Sequence, residues 1–362
     1  MPKIIILLFV CSLMACNRFY PSDQTGNMSF EDVKYVSEFA HTYTLKKGKI
    51  PDVDLIGMRS FAIYDSLLIV STTNEDGLWS FISLETGKYL GSFLTRGQGP
   101  FQFIEPPSTS NKVIFTNEND STVSYVYDAQ RGKLLRFNIT RSITLDSLDI
   151  TVAKDSLPNY LFNFVMIDSS NFLCKEVTPK QTQQIRYIKN LNDRIEPAFL
   201  TSLNKTTIRD GEDINILSTI AKRNEKLNRI VEMPIGLNHL NIYSLDGAFS
   251  RTINMGEQMD ELSAIQNKSR RNRKYTFADL RVFADFFGVI FIDEDEKTYQ
   301  TGRKKIPSIL FFDWEGNPLA ELKLDRHITS FDIDFSRKEL YTFDVQLDEL
   351  YKYDVTAILD EL

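Results

Sequence analysis

Short runs of Ile, Val, Leu, Phe and Tyr, each closed by an Asp, Asn or Gly turn, recur along most of the chain. Runs of this length suit strands, and the turn residues between them suit hairpins. Ser66–Thr72 (SLLIVST), Leu78–Leu84 (LWSFISL) and Lys88–Leu94 (KYLGSFL) form one such set, with a turn at Glu85–Lys88. Lys112–Glu118, Ser124–Lys133 and Leu134–Ile139 read as a second copy. Leu240–Met255 and Ser308–Leu324 each read as strand, Gly-containing turn, strand. Glycine supplies the positive φ that tight hairpin turns require. The turn glycines Gly87 and Gly132 lie 45 residues apart, while Gly132 to Gly247 is 115 and Gly247 to Gly316 is 69. Several strands per unit of about 40–50 residues is the signature of a β-propeller. The span from Gly57 to Asp360 predicts an all-β, six-bladed β-propeller, with seven shorter blades as the alternative.

Two stretches depart from this pattern. Residues 256–280 are polar and carry Arg270, Arg271, Arg273 and Lys274 in a basic run. This reads as a solvated insertion between blades, or as a contact for an anion or partner. Thr178 to Asn228 is also polar, with weak strand signals, and predicts long loops.

The N-terminus is a separate matter. MPKIIILLFVCSLMAC has one early positive charge, Lys3, and an apolar run from Ile4 to Val10. That run is too short for a permanent span, which needs about 20 residues. It predicts a cleavable signal peptide over residues 1–15. A Cys directly after a small residue at the cleavage point resembles the bacterial lipobox, which implies that Cys16 is the lipid attachment site. Residues 16–28 then form a tether and 29–362 the propeller domain. The apolar run 4–10 and Cys16 predict a cell-envelope protein held by lipid at the outer membrane. Asn17 and Arg18 stand where an acidic cluster would mark surface export, so the leaflet stays open. Cys11 leaves with the signal and Cys16 carries lipid. Cys174 is then the sole thiol and reads as a small buried apolar residue.

Two phrases go further. Lys88–Phe103 contains Gly97, Gly99 and Pro100 after a strand. Ile309–Phe343 contains Asp313, Trp314, Gly316, Asn317 and Pro318 in FDWEGNP, then Leu324 and Asp325. Together they resemble the TolB-like six-bladed β-propeller lipoproteins of Bacteroides-type bacteria. That resemblance implies fold and compartment and supplies no catalytic residue.

Chemical motifs are few. RGQGP has Pro100 where a phosphate loop needs an N–H, and a Pro-Pro step follows. No nucleophile elbow and no zinc spacing occurs, and His41, His239 and His327 are widely separated. The acidic runs 210–213 and 293–296 lack calcium-loop spacing and read as surface loops. Trp79 reads as core, whereas Trp314 sits by a turn and reads as more exposed. With 42 Lys+Arg against 49 Asp+Glu the net charge is −7, which excludes general nucleic-acid binding. No catalytic residue, metal or cofactor is expected. The predicted function is a monomeric binding or scaffolding module for a protein, peptide or glycan partner, tied to the membrane by lipid. Arg59, Arg96, Arg270, Arg271 and Arg273 are its candidate contact residues. The alternative is a propeller hydrolase, lactonase or lyase with a metal held in the central channel.

Overall fold

A computed structural model describes residues 26–46, 48–51, 57–190 and 193–362. The expected signal segment, Cys16 and most of the expected tether therefore lie outside the described residues. Six antiparallel sheets follow one another along the chain, each with its strands side by side in chain order. Their first strands are Met58–Tyr64, Val113–Glu118, Asn163–Met166, Thr219–Asn224, Lys274–Val282 and Ser330–Asp334. These begin at 58, 113, 163, 219, 274 and 330, so the repeat step is 55, 50, 56, 55 and 56 residues. The first strands of sheets 3 and 4, 4 and 5, 5 and 6, and 6 and 1 pack against each other, and all six line one cavity. They ring a central axis and the later strands step outward. The result is a six-bladed β-propeller, and the seven-blade alternative falls.

Burial explains why the strands look as they do. Leu67–Thr72 is covered on both faces by adjacent blades, so it reads as an apolar run and not as an alternation. Aromatics fill the seams between blades. Trp79, Phe81, Phe93 and Phe137 cluster between blades 1 and 2. Phe287, Phe312 and Trp314 join Val231 and Leu240 between blades 4 and 5. Cys174 is fully buried, and burial pushes its thiol up to about 12, so it is an inert core residue.

The four turn glycines all adopt positive φ, at 68°, 61°, 75° and 80° for Gly87, Gly132, Gly247 and Gly316. They are not equivalent, however. Gly87, Gly247 and Gly316 join third to fourth strands, while Gly132 joins a second to a third. The 45-residue spacing from Gly87 to Gly132 thus compares different turns. The polar stretch 256–280 is also shorter than expected as a connection. It holds helix Leu262–Gln266 and a 3-10 turn at Arg270–Asn272, but from Lys274 onward it is the innermost strand of blade 5. Within 178–228, Gln184–Lys189 and Arg194–Ile195 complete blade 3.

The N-terminal segment straps the outside of the ring. Val33–Val36 pairs in parallel with the outer strand of blade 4, and His41–Thr44 with that of blade 5. Lys49 then bridges Lys352 of blade 6, which has three strands of its own. Met28, placed in the expected tether, is packed against the ring and only 1% exposed. Its N–H donates to Thr206 Oγ1 at 3.0 Å, and Asn27 Oδ1 accepts from Leu262 N at 3.4 Å. Thr206 and Leu262 lie in connections between blades, so the chain enters on the face that carries those connections. We call this the lower face. The upper face carries the hairpins between first and second strands.

His239 secures the strap. Its Nε2 donates to the Met28 carbonyl at 3.1 Å, beside Asn241 Nδ2 at 2.9 Å. The ring is wholly buried, its Nδ1 has no partner, and burial lowers its pKa to about 4. The folded value lies below the unfolded one, so the unfolded chain takes up the proton first as pH falls. Stability should therefore drop between pH 6.5 and 4, by about 3 kcal/mol in all. His239→Gln should flatten that part of the curve in urea melts. An unchanged slope between pH 6.5 and 4.5 would count against this role.

Candidate functional site

All six innermost strands contribute to one cavity of about 550 Å³ that opens on the upper face. Its wall is mixed, with Ile63, Phe115, Val165, Val282 and Ile333 set among nearly as much polar surface. Aromatics continue to the rim. Tyr64 packs on Phe115 with centroids 5.7 Å apart, and Phe335 rests on Phe283 at 5.2 Å while staying 48% exposed.

Charge collects deeper in. Arg281 is nearly buried. Its Nε donates to Asp279 Oδ2 at 3.1 Å, its Nη2 to the Phe61 carbonyl at 2.9 Å, and its Nη1 lies 3.6 Å from Asp332. Asp332 also accepts from the N–H groups of Ile63 and Ile333, each at 2.9 Å. Asp279 accepts from Leu280 N at 3.0 Å and Phe331 N at 3.2 Å. One guanidinium and two carboxylates thus tie blades 1, 5 and 6 together at the axis. Burial, offset in part by Arg281, holds the Asp332 carboxyl above its ordinary value.

Two lysines on this wall are different. Among the described residues, the ammonium groups of Lys112 and Lys222 have no hydrogen bond and no ion pair. Burial lowers the pKa of Lys112 against the pull of Glu105. Burial and then the Arg281 charge push Lys222 down to about 8, against Asp279 and Asp332. Next to Lys222, Arg223 is tied through Nη1 to the Ile167 carbonyl, and its buried Nε has no partner. The uncommitted carboxylates in the lining, Asp65 and Glu225, are exposed at the rim.

The residues singled out by sequence lie elsewhere. Arg59 is exposed near the start of the first strand of blade 1, and Arg96 pairs with Glu75 at 2.8 Å on the surface. Arg270, Arg273 and Lys274 line a second cavity, of about 540 Å³, on the lower face, and Arg271 is exposed beside it. The acidic runs meet the basic run there. Arg273 contacts Asp213 at 3.1 Å and Glu212 at 3.5 Å, Arg270 contacts Glu296 at 3.6 Å, and Lys274 contacts Asp293 at 2.7 Å.

The two family-like phrases are packing devices. In the first, Gly99 N donates to Gln102 Oε1 at 2.9 Å, and a Cβ on Gly97 would meet that oxygen at 2.2 Å. Arg131 holds the loop through the Gln102 carbonyl at 2.6 Å, and Pro100 begins the turn that returns to buried Phe103. In the second, Asp313 Oδ1 accepts from the N–H groups of Glu315 and Asn317 at 2.9 and 2.7 Å. The turn is seated on blade 4, where a Cβ on Gly316 would meet Ile253 at 2.9 Å. Trp314 is therefore 1% exposed, contrary to the expectation from its place beside a turn.

The three histidines do not meet. His41 is in the strap, His239 lies under it, and His327 Nε2 contacts the Arg303 carbonyl at 2.5 Å. Among the described residues no group of three His, Cys, Asp or Glu side chains could share a metal ion.

The family description "TolB-like 6-blade propeller-like" matches residues 59–336. No curated protein matches the chain. Among solved structures, a DUF4221-family member from Bacteroides vulgatus is 12% identical with a TM-score of 0.49, covering 88% of this chain and 96% of its own. Hydrazine synthase of Kuenenia stuttgartiensis is 10% identical at 0.45, covering 87% and 80%. A luciferin-regenerating enzyme is 11% identical at 0.42, covering 84% and 91%. Likenesses at this level carry no functional argument.

Proposed function

This chain belongs to the TolB-like six-bladed propeller family, and from that premise we propose that it is a cell-envelope lipoprotein that binds a protein, peptide or glycan partner through the upper funnel. The observation that carries this reading is the funnel itself. Six strands converge on one cavity that joins apolar and polar surface, with an exposed rim aromatic and two ammonium groups that have no partner among the described residues. Pockets of this size, apolar with a few polar groups, are the usual form of a binding site. The metal-dependent hydrolase or lyase alternative needs carboxylates or imidazoles free to ligate at the axis. Asp279 and Asp332 instead accept from backbone N–H groups and face Arg281, a donor set that does not suit a divalent ion.

Two measurements test the proposal. Affinity capture from the native envelope with a C-terminally tagged chain should yield a partner that Phe335→Ser loses. A partner held equally well by that variant would remove the funnel from the account. For the anchor, Cys16→Ala should shift the protein from the membrane fraction to the soluble fraction and abolish incorporation of labelled fatty acid. Retention in the membrane fraction without label would refute lipidation.

A further inference from the structure

The two cavities lined by cations differ in one respect. On the lower face, Arg270, Arg273 and Lys274 all have carboxylate partners within the chain. In the upper funnel, Lys112 and Lys222 have none, and the carboxylates of the floor are committed to Arg281 and to backbone. A partly buried ammonium group without a partner is costly, because it loses water and gains nothing. Folds keep such a group where something else completes it. The free acids Asp65 and Glu225 stand at the exposed rim, outside the apolar zone. The inner carboxylates Asp332 and Asp334 are taken up by Arg281 and Arg337, which leaves the two lysines without a counter-charge on a wall that also carries aliphatic and aromatic side chains.

We infer that the funnel takes an amphipathic organic anion, a carboxylate or kindred acid joined to an apolar body, with the acid paired to Lys222 and Lys112 and the body against Phe115, Phe335 and the aliphatic wall. The cavity, about 550 Å³, is far larger than an inorganic anion, and the apolar half of its wall leaves room for an apolar body beside the acid. This rests on the funnel being the binding site proposed above. It narrows the partner to one that presents an acid beside apolar groups. The free end of a peptide chain and a free organic acid share that chemistry.

The test uses two fluorescent probes with the same ring framework. Anilinonaphthalene sulfonate carries an anionic group and N-phenyl-1-naphthylamine lacks it. The anion should bind the full chain more tightly than the neutral probe. Lys222→Met should weaken the anion about tenfold, as loss of a charge-assisted contact would, and leave the neutral probe unchanged. Phe335→Ser should weaken both. The groups around the lysines are Arg281, Asp279 and Asp332 for Lys222 and Glu105 for Lys112. In the unmodified chain the preference for the anion should therefore fall from pH 7 to 9.5 as Lys222 loses its proton. That arm keeps the test alive if Lys222→Met does not fold. Equal binding of the two probes, or a preference that ignores both pH and Lys222, would overturn the inference and leave the funnel as a site for neutral ligands. Failure of either probe to bind, or indifference of both to Phe335→Ser, would overturn the funnel reading with it. Competition separates the sources. Displacement by acetyl-Leu-Phe and not by its amide or by 3-phenylpropionate would identify a peptide end. Displacement by 3-phenylpropionate as well would identify a free acid. If neither acid competes better than the amide, the inference fails.

Discussion

Glu232→Gln should destabilise the fold by about 3–5 kcal/mol, the usual cost of removing one partner from a buried ion pair. Glu232, Arg186 and Lys175 are each about 1% exposed in the seam between blades 3 and 4. Arg186 reaches the carboxylate through Nη2 at 2.6 Å and Nε at 2.8 Å, Lys175 at 3.3 Å, and Thr219 Oγ1 donates at 2.6 Å. Burial alone would raise the carboxyl, but Arg186 and Lys175 more than offset it and hold it well below the usual range. Lys175 is also pushed down, to about 7, by burial first and Arg186 second. The cluster is therefore already short of negative charge, and removing Glu232 leaves two cations facing each other without water. The carboxyl is lower folded than unfolded, so its contribution is present above about pH 4.3 and fades only as acid approaches its folded value. Guanidinium melts at pH 7 measure the effect. A loss below about 1 kcal/mol would mean that water or a rearranged neighbour replaces the carboxylate.

Trp314→Ala should cost a similar amount, about 3–5 kcal/mol, for a different reason. The indole fills the seam between blades 4 and 5, with its ring 5.3 Å from Phe287. Its Nε1 donates to the Phe283 carbonyl at 3.2 Å, and its own carbonyl accepts from Arg229. Alanine would leave a void in rigid surroundings. Trp314→Phe should cost less, about 1–2 kcal/mol, because it keeps most of the ring packing and loses one hydrogen bond, while the Phe283 carbonyl still accepts from Asn224 Nδ2 at 3.1 Å. Tyr89→Ala, at a side chain 60% exposed, should stay within about 0.5 kcal/mol and serves as the control. If the alanine and phenylalanine variants melted together, the hydrogen bond and not the packing would be what matters.

The strands with apolar faces were legible because blade-to-blade burial leaves its mark on local sequence. SLLIVST, LWSFISL and KYLGSFL correspond to Leu67–Thr72, Trp79–Ser83 and Tyr89–Phe93. Trp79 and Cys174 are core, as read. The phase of the repeat was not legible. Every hairpin in a propeller looks alike locally, so Gly87 and Gly132 appeared equivalent when they close different turns. The innermost strand of blade 5, KYTFADLRV, was hidden inside a polar stretch because channel residues need not be apolar. The strap strands VKYV and HTYT are too short and too polar to stand out, and only their pairing partners make them strands. Trp314 misled for a similar reason, since a turn exposed to solvent in isolation is here covered by the next blade. The funnel charges left a faint signal, single ionic residues set among apolar ones, as in IAKRN, DLRVF and FDIDF. That pattern marks a residue turned into the channel, but the groups around it come from distant blades and cannot be read along the chain.

The strap also fixes which way the molecule looks. Residues 26–28 join the ring on its lower pole, among the connections near Thr206 and Leu262, and the funnel opens on the upper pole. From Cys16 to residue 26 is ten steps, a reach of at most about 35 Å. A lipid on Cys16 would hold the lower pole toward the bilayer on a short leash, so that the mouth faces outward into the aqueous space. The anchor and the mouth would then not compete for the same surface, and the ligand would arrive from solution, not from the lipid.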